Sequence, residues 1–275
     1  MPELVWINGA VVSADDATIS VFDHGLTVGD GVFETLKAVA GEPFAVRRHL
    51  ERLRRSASAL GLEVPVGDHE LRAAMTEVLA SHALPLARVR ITVTGGAAPL
   101  GSERGPAATT IVVAAGRLGE PAASTAVCVA PWPRNERGAL AGVKTTSYAE
   151  NVVALAFAKE RGCSESIVAT TTGLLCEGTG SNVFVVVDGE LSTPPLSSGC
   201  LAGVTRELVL EITDAIERDI PITALLTAEE VFLTSTGRDV QAVHQVDDRT
   251  LPGSGPHTAR AHAALSELMT RTFDP

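Results

Sequence analysis

Three lysines stand in this chain of 275 residues, Lys37, Lys144 and Lys159, so any chemistry that needs a side-chain amine rests on one of them. Lys144 has the setting for it. It lies in Leu140-Ala-Gly-Val-Lys144-Thr-Thr-Ser-Tyr148, among small and apolar residues, after a loop and before a helical pattern. Loss of water disfavours an ammonium ion, so an amine in such a pocket becomes a nucleophile able to form a Schiff base. On local grounds alone an ordinary lysine at a helix start fits equally well. Glu177, in Leu174-Leu-Cys-Glu177-Gly-Thr-Gly-Ser-Asn182, sits between an apolar segment and a glycine-rich turn. A carboxylate held there calls for a cationic partner, such as a protonated ring nitrogen. A solvated turn carboxylate is the alternative.

Three further groups handle anions. Leu201-Ala-Gly203-Val204-Thr205-Arg206 opens a helix, where backbone N–H groups and the Thr205 hydroxyl favour an anion, although a plain N-cap is the commoner use of such a threonine. Thr234-Ser235-Thr236-Gly237 offers more hydroxyls after a strand. Arg88 and Arg90 are two apart on a predicted strand, so both project from one face and repel unless an anion lies between them. They could hold a substrate carboxylate, or they could be salt-bridged at a surface. An amine, a carboxylate, a phosphate cradle and a carboxylate clamp together are what pyridoxal 5′-phosphate needs: lysine takes the aldehyde, the carboxylate keeps the ring nitrogen protonated, and a helix N-terminus anchors the phosphate.

The 22 basic and 33 acidic residues give a net charge of −11, which argues against a nucleic-acid partner bound by counterion release. The four cysteines form no C-x-x-C pair and the histidines no metal-binding spacing, so no metal is expected and the thiols read as buried and reduced. No apolar run approaches the ~20 residues of a membrane helix and no signal peptide opens the sequence, so a cytoplasmic protein without a membrane partner is expected.

The elements that must position these residues follow from periodicity. Strands are expected at Leu4–Ile7 and Val11-Val12 around an Asn8-Gly9 turn, at Arg88–Thr94, Thr109–Ala115, Ala126–Ala130, Ser166–Thr170, Asn182–Val187, Glu190–Ser192 and Val231–Thr234. Ala45-Val46 reads as a strand end, and Val32–Val39 fits helix or strand. Helical spacing runs from His49 to Leu60, and at Glu70–Ala83, Ala149–Arg161, Thr205–Arg218 and Ala259–Phe273. Without regular βαβ alternation, the fold class is α+β. A small N-terminal α/β domain over 1–115, a linker of small residues over 116–124 and a large C-terminal domain over 125–275 are expected.

Read in order, Asn8-Gly9, Gly29-Asp-Gly-Val-Phe33-Glu34, His49-Leu-Glu-Arg52, the Lys144 segment, Glu177-Gly-Thr-Gly-Ser-Asn182, Gly203-Val-Thr205-Arg and Thr234-Ser-Thr236 resemble the fold-type IV pyridoxal-phosphate enzymes, the class IV aminotransferases. The likeness spans essentially the whole chain. It implies a two-domain fold similar to D-amino-acid aminotransferase and a homodimer. It implies that Lys144 forms the Schiff base and carries the proton, that Glu177 pairs with the pyridine nitrogen, and that Arg52, Gly203, Val204, Thr205, Ser235 and Thr236 cradle the phosphate. Phe33 would face the substrate. Branched-chain enzymes of the family carry a tyrosine near the cofactor's phenolic oxygen, one residue further from the lysine than Tyr148 is here, so the resemblance implies that Tyr148 binds the cofactor there after a local shift. Ala98-Pro99-Leu100 lacks the arginine of a D-amino-acid enzyme, a place that Arg88 and Arg90 would fill. The expected activity is transfer of an amino group between a 2-amino acid and a 2-oxo acid, with D-amino acids favoured. The alternatives are aminodeoxychorismate lyase, making 4-aminobenzoate and pyruvate, and a branched-chain L-amino-acid aminotransferase.

Overall fold

Alternating apolar residues build the first of two sheets. The computed structural model describes residues 3–275; Met1 and Pro2, the start of the expected first domain, lie outside the described residues. β1 (Leu4–Ile7) and β2 (Ala10–Ser13) form the hairpin, with Asn8 and Gly9 both at positive φ. A short helix α1 (His24–Thr27), capped by the Asp23 carboxylate, leads to β3 (Gly31–Val39), which is a strand throughout. After β4 (Glu42–Pro43) the expected strand end at Ala45-Val46 is a helix start instead. Ala45 takes a left-handed conformation, φ +56°, which stops extended pairing, and α2 (Val46–Ala59) begins. α3 (Asp68–His82), β5 (Leu86–Thr94) and β6 (Thr110–Arg117) complete this part. The sheet order is β2-β1-β6-β5-β3-β4, and every pairing is antiparallel.

The pleat sorts the residues of β3. Val32, Glu34 and Leu36 pair in register with Val93, Ile91 and Val89 and are buried, and Val32 and Leu36 share a cluster with Leu50 and Leu53 of α2 and Leu71, Met75 and Val78 of α3. The opposite face carries Phe33, Thr35 and Lys37, paired with Thr92, Arg90 and Arg88. The chain divides into two compact units, and the first takes in Met1–Gly119, Val143–Tyr148 and Thr272–Pro275. The Lys144 segment therefore packs with the N-terminal sheet, although it lies well beyond residue 119 in sequence.

The second unit, Glu120–Gly142 with Ala149–Arg271, holds a nine-stranded sheet. Its elements are β7 (Ser124–Val129), α4 (Ala149–Glu160), β8 (Glu165–Ala169), β9 (Leu175–Gly178), β10 (Asn182–Val187), β11 (Glu190–Thr193), α5 (Val204–Ile212), β12 (Ile216–Glu217), β13 (Glu230–Ser235), β14 (Asp239–Val246), β15 (Arg249–Thr250) and α6 (Pro256–Arg271). The order is β12-β11-β10-β13-β14-β7-β8-β9, with β15 on β14. Pairings β11–β12, β14–β7 and β7–β8 are parallel and the rest antiparallel. Val127, Ile167, Val183, Val185, Val231 and Leu233 form its main core.

β9 and β14 are strands that periodicity did not single out, and α5 stops at Ile212 rather than Arg218. Thr213 leaves the helix at φ −130°, ψ 177°, while its hydroxyl donates to Val209 O at 2.6 Å. β6 runs on to Arg117 and β7 starts at Ser124, so both ends of the stretch 116–124 are strand. All four cysteines are buried thiols without a disulfide, and burial raises the pKa of Cys163, Cys176 and Cys200. Among the described residues no helix is long and apolar enough to cross a membrane, and no cluster of three or more His, Cys, Asp or Glu could hold a metal ion.

Candidate active site

Backbone bonds fix Lys144 beside β3. Phe33 N donates to Lys144 O at 2.9 Å, and Lys144 N donates to Ser56 Oγ of α2 at 3.3 Å. The next residues bind the strand's approach. Thr146 N and Thr145 Oγ1 donate to Gly31 O at 2.8 and 3.0 Å, and the hydroxyls of Thr146 and Ser147 both donate to Gly29 O at 2.9 Å. Gly29 must be glycine: its φ is +70°, and a Cβ would lie 2.8 Å from Ser147 Oγ. The glycines of the 23–31 loop thus serve to seat the lysine segment.

Phe33 gathers the cationic groups. Lys144 Nζ lies 4.5 Å from its ring centroid and Arg90 Cζ 3.8 Å, both at cation–π distance. Tyr148 meets the same ring edge-on, with centroids 5.5 Å apart and planes at 84°. Four of the residues read from the sequence therefore stand together: Phe33, Arg90, Lys144 and Tyr148. Arg88 is exposed on the same face but opposite Lys37, two positions along the strand from Arg90. Arg90 is exposed as a whole, yet partial loss of water lowers its guanidinium pKa; the Tyr148 phenol opposes this and the Arg88 charge adds to it.

Arg52 lies on the other face of β3, where the sheet meets α2. Its Nε and Nη2 donate to Glu34 Oε1 and Oε2 at 2.7 and 2.8 Å. His49, one turn earlier on α2, places Nδ1 2.7 Å from Glu34 Oε2. All three are buried. Burial by itself raises the Glu34 pKa, but the Arg52 charge and hydrogen bonds, with help from His49, hold the carboxyl well below the usual range. Burial lowers the His49 pKa; Glu34 opposes this, while Arg52 and Lys144 reinforce it. Glu34 was legible only as part of a motif, because its apolar neighbours on the strand gave no sign of a buried ion pair.

In the second unit a bulge aims Glu177. Ala169 pairs with Leu175 and Val168 with Glu177, leaving Cys176 without a partner opposite. In an unbroken strand Leu175 and Glu177 would share a face. The extra residue turns Glu177 to the side of Val168, away from the core that takes Leu175. There its Oε2 accepts from Leu201 N at 2.9 Å and its Oε1 faces Arg134 Nη2 at 3.4 Å. Asn182 Nδ2 donates to Leu201 O at 2.8 Å. Glu177 and Asn182 thus grip both sides of the peptide chain just before α5.

Gly203 is the N-cap residue of α5, so no N-cap side chain takes up the N–H groups with which Val204 and Thr205 begin the helix. A Cβ on Gly203 would overlap Asn182 Oδ1. Val204 and Thr205 are buried, and Ser235 and Thr236 are half-buried at the end of β13 and in the turn after it. Thr234 pairs with Asn182 in register, and its fully buried hydroxyl has no partner among the described residues. An unsatisfied buried hydroxyl beside a helix N-terminus, next to two further hydroxyls, fits a phosphate that would bring the missing oxygens. A buried carboxylate braced by Leu201 and Arg134 fits a protonated pyridine nitrogen. Thr234 stood out in the sequence only as the first residue of the Thr234-Ser235-Thr236 motif, and Arg134 did not stand out as a site residue.

The family described as amino-transferase class IV matches residues 31–246. A putative branched-chain-amino-acid aminotransferase of Methanocaldococcus jannaschii is 33% identical, covering 97% of this chain and 96% of its own length. A D-alanine aminotransferase of Bacillus licheniformis is 28% identical, covering 95% of each. The crystal structure of a branched-chain amino acid aminotransferase of T.th. with pyridoxamine 5′-phosphate superposes with a TM-score of 0.90 at 28% identity, over 98% of this chain and 95% of that one.

Proposed function

The chain belongs to the class IV aminotransferases, enzymes that use pyridoxal 5′-phosphate, and from that premise we propose that it moves an amino group between a small 2-amino acid and a 2-oxo acid, with Arg90 holding the substrate carboxylate. The observation that carries this reading is the placement of Arg90 and Lys144 against one ring, that of Phe33, at 3.8 and 4.5 Å. A carboxylate bound to the guanidinium brings an α-amino acid to the same aromatic wall as the amine.

When bound, the cofactor supplies an aldehyde that accepts the amino group and a ring that takes up electrons. Lys144 is the amine that would hold the cofactor's aldehyde, and its Nζ would carry the proton. Glu177, kept in place by Leu201 N–H and Arg134, would keep the ring nitrogen protonated. Arg52, Gly203, Val204, Thr205, Ser235 and Thr236 are the residues that would hold the phosphate. Phe33 and Tyr148 exclude water from the reacting face.

D-amino acids are the favoured donors. Arg88 and Arg90 supply cations on one face of β5 where Ala98-Pro99-Leu100 supplies none, and the D-alanine aminotransferase likeness supports this. The second reading, branched-chain L-amino acids, is supported by the names of the other relatives and by the apolar Phe33–Tyr148 wall. The protein is taken to work as a cytoplasmic homodimer. Val21, Phe22, Leu26 and Leu100, apolar and 52–74% exposed, support a second copy as cover. Light scattering after size exclusion tests the dimer.

A half-reaction screen tests the function. D-alanine, D-glutamate, L-leucine and L-glutamate are added singly to the cofactor-loaded enzyme, and the visible absorption band and the 2-oxo acid formed are followed. Loss of the band with D-alanine or D-glutamate supports the first reading, and loss with L-leucine alone supports the second. No loss with any of them, together with 4-aminobenzoate made from aminodeoxychorismate, overturns transamination in favour of the lyase.

A further inference from the structure

Glu165 and Arg238 belong to no motif, yet they join two turns of the second unit. Glu165 is on β8 and only 2% exposed. A carboxylate buried that far is costly unless its lone pairs are satisfied. Its Oε1 accepts from Thr179 Oγ1 at 2.7 Å and from Gly180 N at 2.6 Å, and its Oε2 faces Arg238 Nη2 at 2.8 Å. Thr179 and Gly180 form the turn between Glu177 and Asn182, and Asn151 of α4 holds that turn too, through Nδ2 to Thr179 O at 2.5 Å. Arg238 closes the other turn, the one that carries Ser235 and Thr236, where Arg238 N donates to Ser235 O at 3.2 Å. The Arg238 guanidinium is further engaged by Gln241 Oε1 and by the Ser164 hydroxyl and carbonyl oxygens.

We propose that the Glu165–Arg238 ion pair is a positioning clasp for the cofactor phosphate. It sets the turn bearing Ser235 and Thr236 against the turn that leads from Glu177 to Asn182, and through Asn182 against the start of α5. Arg238 acts through these turns and not as a phosphate ligand, because its charge is matched by Glu165. A buried ion pair adds little stability over an apolar filling of the same volume, so its use here lies in direction: Glu165 is aimed at the turn of Thr179 and Gly180, and Arg238 reaches it from the turn that follows Ser235 and Thr236. The proposal rests on reading Ser235 and Thr236 as phosphate ligands.

Titration of the apoenzyme with pyridoxal 5′-phosphate and with pyridoxal, which lacks the phosphate, separates the two ideas. Glu165→Gln and Arg238→Met are each expected to raise the Kd for pyridoxal 5′-phosphate tenfold or more and that for pyridoxal less than threefold. The double variant is expected to do no worse than the weaker single one, and Arg238→Lys to recover most of the affinity. Equal weakening toward both ligands, in step with a lower apoenzyme melting temperature, would show a structural pair only and overturn the proposal. If Ser235→Ala with Thr236→Val weakens pyridoxal 5′-phosphate but Arg238→Met does not, the clasp is wrong and the phosphate reading stands. If Ser235→Ala with Thr236→Val has no effect, the phosphate reading itself fails. Should Glu165→Gln not fold, the partly exposed Arg238 variants decide.

Discussion

Glu34 grips Arg52 through two parallel hydrogen bonds of 2.7 and 2.8 Å, from a position on β3 that no water reaches. Such a fork fixes both the place and the plane of the guanidinium. Replacing Glu34 by Gln removes the negative charge and leaves a buried cation without its counter-ion. Breaking one side of a buried pair costs about 3–5 kcal/mol. Glu34→Gln is therefore expected to lower the melting temperature markedly and to weaken pyridoxal 5′-phosphate binding through a misplaced Arg52. A variant that melts like the parent would show that the pair bears no such weight.

The same network makes stability depend on pH. His49 has a folded pKa below its ordinary value of about 6.5, first because of burial. The unfolded chain therefore takes up the proton sooner, so this stability is complete above pH 6.5 and is lost as pH falls from there toward the folded pKa. Glu34 is depressed below its ordinary value of about 4.5, so its contribution persists above that and is lost only at lower pH. Between about pH 7 and 5 the melting temperature is expected to fall, and His49→Gln to flatten that slope. Melting curves of both proteins across this range decide the matter, and parallel curves would exclude His49 as the cause.

Arg90 and Arg88 looked equivalent in the sequence, and the structure separates them. Arg90 lies over Phe33, and Arg88 stands opposite Lys37. Arg90→Ala is expected to reduce kcat/KM for amino-acid donors by about 1–3 kcal/mol, the worth of a charged hydrogen bond, with a smaller effect from Arg88→Ala. Cofactor affinity is expected to hold in both. Steady-state kinetics with two donors checks this, and an Arg90→Ala enzyme with unchanged kcat/KM would sink the clamp.

Lys144→Ala is expected to abolish the visible absorption band of the cofactor-loaded enzyme and to reduce turnover by several orders of magnitude, as when a covalent nucleophile is lost. Lys37→Ala and Lys159→Ala serve as controls. A retained band in Lys144→Ala would move the reactive amine to one of those two.

How far the sequence could be read follows from the range of each interaction. α2 was legible because Leu50, Leu53 and Ala57 repeat at helical spacing, and β10 because it is an unbroken apolar run. Ala45-Val46 misled because a left-handed alanine leaves no mark in composition. Lys144 and Glu177 stood out by their neighbours, but the side to which Glu177 turns depends on the unpaired Cys176, and register is a property of two strands. Glu165 and Arg238 meet only after β8 and the β13–β14 turn are in place, so no local pattern could pair them.

Gly203 gives the sharpest steric test. A Cβ there would overlap Asn182 Oδ1, and Asn182 is the residue that holds Leu201 O at 2.8 Å. Gly203→Ala must push Asn182 aside, shift the first turn of α5, or both. Overpacking of this kind costs about 1–3 kcal/mol. The variant is expected to melt lower and to bind pyridoxal 5′-phosphate more weakly, because the N–H groups of Val204 and Thr205 move with the helix start. Adding Asn182→Ala removes the clash but also the Leu201 hydrogen bond. It is therefore expected to restore part of the melting temperature while leaving the affinity low. Recovery of both, measured by thermal unfolding and by cofactor titration, would mean that Asn182 only fills space and does not set the position of the helix.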